Sequence, residues 1–178
     1  MRVGGAPPPP VMLPGSAMAD DVEDAEDPES SEARLLALAG HHSTEVRMRV
    51  AGNLSAPPAA LTRLAHDGDV FVAVNAASNT SAPPEVLEEI VRRDCAPSVR
   101  QQLVAAVAEN PAASSGLLAG LASDDDPVVR HAAAKNQSTP AGSLAALGAD
   151  PVEWVRVAAA QNPSTPAAGK AAKGLLAD

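Results

Sequence analysis

Apolar residues recur along this chain in two short patterns that alternate with each other. In the first pattern, two leucine or isoleucine residues lie three positions apart, and this spacing places both on one face of a helix. These pairs are Leu35 and Leu38, Leu61 and Leu64, Leu87 and Ile90, Leu118 and Leu121, and Leu144 and Leu147. In the second pattern, an apolar residue is followed four positions later by another, as in Val46 and Val50 or Val129 and Ala133. The alternation predicts a body made of paired short helices.

An asparagine follows the second pattern each time, seven positions after its first apolar residue. At about 100° per residue, this position returns to the buried face of the helix. Five of the six asparagines in the chain occupy it, at steps of 26, 31, 26 and 26 residues: Asn53, Asn79, Asn110, Asn136 and Asn162. We expect each amide to bind loop backbone groups inside the protein, in the left-handed conformation common at helix ends. A period in this range indicates one helical unit stacked on copies of itself.

Serine and proline precede most of the first helical patterns, which predicts how those helices begin. Four segments read Ser-Ala-Pro or Ser-Thr-Pro, and they start at Ser55, Ser81, Ser138 and Ser164. A serine side chain can cap the free N–H groups of a helix, and proline suits the first turn. The third unit departs from this rule and is also longer. Four of its extra residues add about one helical turn, so we expect its second helix to protrude near residues 101–104.

Aspartate and arginine also recur at fixed positions in the units. The aspartates are Asp67, Asp94, Asp124 and Asp150, and the arginines are Arg47, Arg100, Arg130 and Arg156. In units three to five, we expect each aspartate to face the arginine of its own unit. Unit two has Ala73 in the arginine place, so we expect Asp67 to reach back to Arg47 of unit one. With the asparagines, these residues form a predicted structural ladder that fixes the register of the units.

The repeated pattern V-R-x-x-x-A-x-N-P-S-T-P-x-x-x-L-x-x-L-x-x-D resembles the leucine-rich repeat variant family. The resemblance recurs five times from about Arg34 onward, and its logic is similar to that of HEAT-type repeats. It implies a right-handed solenoid of alternating α- and 3₁₀-helices that serves as an interaction scaffold without catalytic residues. We therefore expect an all-α solenoid of about five two-helix repeats over residues 32–178. Some family members carry a cysteine-rich iron–sulfur segment, but this chain has the single cysteine Cys95, and we expect no cofactor.

Charge and composition separate an N-terminal tail from the body. Residues 1–33 hold one basic and eight acidic residues, although the whole chain has a net charge of only −9. We expect residues 1–31, proline-rich and then acidic, to be disordered. The nearly neutral body argues against nucleic-acid binding. No apolar run reaches the ~18 residues of a membrane span, so we expect a cytoplasmic protein without membrane contact. Lys170 and Lys173 replace leucines and predict a polar cap on the last unit.

Residues with catalytic or metal-binding potential have simpler structural explanations. Asp126-Pro127 is typical of a helix start, with the aspartate capping and the proline in the first turn. His41, His42 and His66 lack the spacing of a zinc site. No nucleophile–base arrangement or phosphate loop is recognisable in the sequence. We therefore expect no enzyme activity, no metal site and no small-molecule substrate.

Two aromatic residues are the strongest candidates for a binding role. Phe71 and Trp154 both stand just before the valine of the second pattern, where other units have Glu45, Ser98 and Val128. In the longer unit, this comparison takes Val99 as the equivalent valine. A position that accepts such different side chains is not a packed core position. The rings are candidate anchors for a protein partner, together with Gln101 and Gln102 in the longer unit. Alternatively, each ring folds over its neighbouring repeat.

The sequence thus favours a protein–protein interaction scaffold that binds along an extended surface. An accessory subunit that docks onto an enzyme or redox complex is the alternative. The identity of the partner does not follow from the sequence.

Overall fold

The computed structural model describes residues 16–166, which form eleven α-helices and no strand. The helices are α1 Ser16–Glu26, α2 Glu32–Leu38, α3 Thr44–Gly52, α4 Pro58–Ala65, α5 Val70–Ser78, α6 Pro84–Arg92, α7 Pro97–Glu109, α8 Ser115–Leu121, α9 Pro127–Lys135, α10 Ala141–Leu147 and α11 Glu153–Gln161. The predicted all-α solenoid is confirmed. The 3₁₀-helices implied by the family resemblance are α-helices in this range.

The helices form two layers. The A layer contains α2, α4, α6, α8 and α10, and the B layer contains α1, α3, α5, α7, α9 and α11. Each A-layer helix packs on the B-layer helix of its own unit, and each B-layer helix packs closely on the B-layer helices of the units before and after it. Neighbouring A-layer helices contact one another much less. The array therefore curves with the B layer on its inner side.

Small aliphatic side chains make this close packing possible. The buried hydrophobic residues of the described range are alanines, valines, leucines and Ile90, and they include every leucine pair of the first sequence pattern. The distance between packed helices depends on the side chains at the contact. Alanines such as Ala76, Ala133 and Ala159 are fully buried in the B layer and let its helices approach one another. The core is therefore a series of thin layers without aromatic rings.

The asparagines connect consecutive units, as predicted. The Asn136 Nδ2 group donates to the carbonyl oxygens of Ala108 and Asn110 in the preceding unit, at 2.8 and 2.9 Å. Its Oδ1 accepts the backbone N–H of Ser138, at 2.9 Å. Asn53, Asn79, Asn110 and Asn162 make the same three hydrogen bonds. All five side chains are buried.

The backbone of these asparagines differs from the prediction. Asn53 has φ −73° and ψ 123°, an extended conformation, and the other four are similar. No non-glycine residue in the part of the chain described has a positive φ. The expected left-handed conformation is wrong because each asparagine carbonyl closes the following turn, as in the 3.1 Å hydrogen bond from the Ala56 N–H to the Asn53 oxygen.

The helix starts also differ from the prediction. Pro57 and Pro83 occupy the capping position in extended conformation, so each preceding serine lies two residues too early to reach the free N–H groups. The Ser55 hydroxyl instead donates to the Pro28 carbonyl of the preceding turn, at 2.8 Å. Ser81 and Ser164 make equivalent bonds to Leu54 and Gln137. The predicted Asp126 cap is confirmed by a 2.8 Å bond from the Val128 N–H to its carboxylate.

Helix α1 corrects the prediction that residues 1–31 are disordered. Residues 1–15 lie outside the described residues, but Ser16–Glu26 form a helix that packs on α3, with Ala25 fully buried. Its acidic side chains contact unit one: Asp21 and Asp24 bind Arg34 at 2.5 and 2.8 Å, Asp21 lies 3.2 Å from the His41 ring, and Glu26 binds Arg49. Composition misled the prediction because these partners lie outside the acidic segment.

Two further predictions concern the membrane and the C-terminal cap. None of the helices within residues 16–166 is long and apolar enough to cross a membrane. The polar cap predicted at Lys170 and Lys173 lies outside the described residues.

Replacing Asn136 with alanine should destabilise the array strongly. The substitution removes the side-chain donor to the Ala108 carbonyl, one of the two donors to the Asn110 carbonyl, and the acceptor of the Ser138 N–H. A buried group that is left unpaired costs about 1–3 kcal/mol. We expect a loss of about 3 kcal/mol in the free energy of unfolding, measured by urea denaturation followed by circular dichroism. The exposed neighbour Gln137 is the matched control, and Gln137→Ala should change stability by less than about 0.5 kcal/mol. Equal effects of the two substitutions would contradict the role of the ladder.

Candidate protein-binding surface

One side of the B layer is left uncovered by the A layer, and we call it the B face. Each B-layer helix from α3 to α11 has one buried reference residue: Val46, Val72, Leu103, Val129 and Val155. The B face consists of four positions on each of these helices: the residue just before the reference residue, and the residues two, three and six positions after it. The first of these four positions is exposed in every unit, and it holds Glu45, Phe71, Gln102, Val128 and Trp154. The B face therefore presents one equivalent, variable side chain from each unit.

Both aromatic candidates lie on the B face and are available for contact. Phe71 is 63% exposed and Trp154 is 43% exposed. The Trp154 ring meets the His131 ring of the preceding unit edge-on, with centroids 4.9 Å apart. Trp154 thus leans partly on its neighbouring repeat, but much of its surface remains open to solvent.

Two open grooves cross the B face. The C-terminal groove lies between α9 and α11, and its lining includes His131, Lys135, Trp154, Val157 and Gln161. The N-terminal groove runs beside α1, α3 and α5, and its lining includes Glu26, Glu45, Met48, Arg49 and Asn75. Each groove contains apolar side chains next to charged ones. Such surfaces suit a macromolecule more than an enclosed small ligand.

The structure separates the two glutamine candidates. The Gln101 amide donates to Asp126 of the next unit at 2.9 Å, so it joins units and is not free for a partner. Gln102 is exposed and donates to the Ser98 carbonyl at 3.2 Å. The extra turn of the 13-residue α7 lies at its N-terminal end, ahead of Leu103. Gln102 therefore occupies the Phe71 and Trp154 position, which the sequence pattern assigned to Ser98.

The aspartate–arginine ladder runs along another edge of the array and connects units in one direction. Each paired arginine binds the aspartate of the following unit: Arg47 with Asp67, Arg100 with Asp124, and Arg130 with Asp150, all at 2.7 Å. The predicted Arg47–Asp67 pair is confirmed. The pairs predicted within units three to five are wrong.

The hydrogen bonds within each unit explain this direction. The Arg130 Nη1 donates to the backbone carbonyls of Asp124 and Asp125 in its own unit, at 2.9 and 3.0 Å. Arg156 donates in the same way to the Asp150 carbonyl, at 2.7 Å. The aspartate carboxylates accept the N–H two residues ahead, as Asp124 does from Asp126 at 2.9 Å. Arg130 therefore binds main-chain carbonyls of its own unit and the aspartate carboxylate of the next unit.

The junction between units two and three uses a different contact. Arg93 lies 26 residues after Asp67. It donates to the carbonyl oxygens of Ala65 and Asp67, both at 2.9 Å. In units one, four and five, the carbonyl equivalent to that of Asp67 is bound by the arginine of the same unit: Arg47, Arg130 and Arg156. Unit two has Ala73 in place of that arginine. Asp94 makes no ion pair among residues 16–166, so its predicted ladder role is wrong. The residue 26 positions after Asp67 is Arg93, so Arg93 and not Asp94 occupies the equivalent position of the repeat.

Ion pairing lowers the pKa of the ladder aspartates. The hydrogen bond from Arg130 lowers the pKa of Asp150 and outweighs the opposing effect of burial. For Asp67 and Asp124, burial alone raises the pKa, but hydrogen bonds from the arginine and a backbone N–H reverse the direction. These shifts are explained by contacts between units, so they do not indicate a catalytic site.

A double-mutant cycle should show that the Arg130–Asp150 pair stabilises the array. The two side chains are only 13% and 5% exposed, so water screens the pair weakly. We expect a coupling free energy of about 1.5–3 kcal/mol from Arg130→Ala and Asp150→Ala in urea denaturation. The exposed Arg92–Glu88 pair, at 72% and 40% exposure, is the control and should couple by about 0.5 kcal/mol or less.

Stability should fall in acid because of these aspartates. A carboxylate whose pKa is lower in the folded state stabilises the fold above its unfolded pKa of about 3.9. That contribution is lost as the pH falls through the lower, folded value. We expect the free energy of unfolding to drop below about pH 4, and to drop less steeply in Arg130→Met. Parallel pH profiles for the two proteins would exclude this explanation.

Comparison with known families agrees with the repeat interpretation. A family model described as Leucine Rich Repeat Variant domain matches residues 72–137, which run from α5 to the end of α9. The match confirms the resemblance found in the sequence. The comparison with curated proteins finds no match to this chain.

Proposed function

We propose that this chain, which carries a Leucine Rich Repeat Variant domain, is a non-catalytic scaffold that binds a partner protein along the B face. Stacked repeats create extended surfaces of the kind that protein partners use, and a protein-interaction role is the general expectation for such domains. The exposure of Phe71 and Trp154 at equivalent positions of the B face carries the proposal.

The distribution of exposed apolar side chains favours the B face over other surfaces. Seven large hydrophobic residues are exposed in the described range, and four of them lie on the B face: Phe71, Val128, Trp154 and Val157. Clustered apolar residues mark interaction sites, whereas single ones are ordinary on protein surfaces. Tryptophan is also enriched among residues that dominate binding energy. Trp154 and the two valines, on the neighbouring helices α9 and α11, and Phe71, on α5, are therefore the proposed anchors.

The length of the B face suits a protein partner. Phe71 and Trp154 are three units apart, and packed helices are spaced by about 10 Å, so the rings lie roughly 30 Å from each other. A contact of this length fits a protein segment or surface. The acidic balance of the chain disfavours nucleic acid.

Assignment as a non-enzyme rests on what the ionisable side chains do. The three aspartates with lowered pKa are all bound to arginines of neighbouring units. Within residues 16–166, no group of three or more His, Cys, Asp or Glu side chains is placed to hold a metal ion. These observations support a structural use of the charged residues. They leave partner binding as the proposed activity.

Truncation of the two rings should weaken partner binding without unfolding the protein. Because Trp154 and Phe71 are exposed, Trp154→Ala and Phe71→Ala should leave helicity unchanged. We expect affinity for the partner to fall at least tenfold for Trp154→Ala, which is the loss of one hot-spot side chain. The partner is first identified by affinity capture and mass spectrometry, and its affinity is then measured by calorimetry.

The control is Leu54→Ala, because Leu54 is 64% exposed but lies in a loop outside the B face. A partner that is lost with Trp154→Ala and retained with Leu54→Ala supports the proposal. Unchanged binding in both ring variants would remove the B face as the binding surface. A captured partner that is a single stoichiometric enzyme would favour the accessory-subunit role.

A further inference from the structure

We propose that the occupant of the B face is an extended, positively charged segment of the partner, anchored by apolar side chains on Phe71 and Trp154. This inference rests on the proposed function and adds the chemistry of the ligand. Three features support it: the excess of carboxylates along the B face and its border, the alanines between the two rings, and two amide side chains without a hydrogen bond to the described residues.

Carboxylates outnumber cations along the B face and the residues that border it. On the B face itself, Glu45 and Glu109 are balanced by Arg49 and Lys135, with which they pair. Glu26 borders the N-terminal groove and also binds Arg49. Glu153 is exposed in the C-terminal groove and forms no ion pair with the residues described. These two bordering glutamates leave an excess of two negative charges. Electrostatic complementarity therefore selects lysine or arginine side chains in the partner.

The only histidine in the C-terminal groove does not alter this balance. His131 lies beneath Trp154, and burial together with the nearby Lys135 lowers its pKa, although Glu109 acts in the opposite direction. The lowered pKa favours the uncharged form of the His131 ring.

The middle of the B face permits close approach of a main chain. Between the two rings, the positions two and three after the buried residue include Ala105, Ala106 and Ala132. Alanine has no side chain beyond Cβ, and Ala106 and Ala132 are buried, so these positions do not project from the surface. Phe71 stands on one side of this stretch and Trp154 on the other. A segment that crosses it can place an apolar side chain against each ring.

Two amide side chains near the rings are free to bind that main chain. Asn75 lies one turn after Phe71, and Gln161 lies two turns after Trp154 on α11. Neither forms a side-chain hydrogen bond to any residue in the range 16–166, and each lines one of the grooves. A helix has already satisfied its backbone groups internally, whereas an extended segment presents free N–H and C=O groups. Amides therefore favour an extended ligand.

The geometry sets the length of the segment. An extended chain rises about 3.3 Å per residue, so about nine residues span the roughly 30 Å between the rings. We expect a recognised segment of about 9–12 residues, with apolar residues near both ends and basic residues facing Glu45 and Glu153.

The test is a selection from a random 12-residue peptide library displayed on phage. The library is selected on the whole protein and counter-selected on Trp154→Ala. Enriched peptides should carry net positive charge and two separated apolar positions. Enrichment of neutral or acidic peptides, or failure to enrich any peptide over the Trp154→Ala background, overturns the inference.

The consensus peptide is then synthesised without tryptophan and titrated by fluorescence. Trp154 is the only tryptophan and the chain contains no tyrosine, so its emission reports directly on the B face. We expect Glu153→Lys to weaken binding at least tenfold. The charge-matched control Glu85→Lys lies on the exposed side of the A-layer helix α6 and should change binding less than twofold. Equal weakening by both would show unspecific charge attraction and refute the site.

A proline placed in the middle of the peptide tests its conformation. Proline is compatible with an extended chain but disrupts a helix. Binding within threefold of the parent peptide supports the extended ligand, and complete loss contradicts it. If the natural partner still requires Trp154 while the selected peptides are not basic, the proposed function stands and only this inference fails.

Discussion

The side-chain amide of one repeated asparagine connects every unit to the next. Its two N–H groups bind carbonyl oxygens of the preceding unit, and its oxygen binds the turn of its own unit, as Asn136 does. These groups lie in the interior, where an unpaired carbonyl or N–H is costly. Because the packed side chains are small and similar from unit to unit, apolar contacts alone specify the register weakly. The directional amide bonds supply that specificity.

The contacts between units also explain which positions can differ from one unit to the next. The asparagine of each unit binds the unit before it, three arginine–aspartate pairs join neighbouring units, and the repeated leucines and valines are buried in the core. The first position of the B face, just before the buried valine or leucine, takes part neither in these contacts nor in the core. It accommodates Glu45, Phe71, Gln102, Val128 and Trp154 on the same scaffold. This position can therefore differ from unit to unit without disturbing the stack.

Sequence periodicity predicted well where the helices and the buried residues lie along the chain. It predicted poorly which side chains pair between neighbouring units. It identified the paired helices, the inward asparagines and the Arg47–Asp67 pair. It could not tell whether Asp150 faces Arg156 or Arg130, because both are equally compatible with the repeat. It also missed the folding of α1, whose acidic residues are balanced by Arg34 and Arg49 only after unit one has formed. The sequence predicted that the two rings lie outside the packed core, but the residues that line the grooves could be identified only from the layer geometry.

Arg93 makes the contact between units two and three unlike the others. At the other junctions, an arginine of one unit pairs with the aspartate of the next. Here Ala73 lacks the guanidinium, and Arg93 of unit three supplies one to the main chain of unit two. This junction therefore joins a cation to neutral carbonyl oxygens without a carboxylate. Protonation of aspartates in acid should weaken the other ladder contacts and leave this one in place.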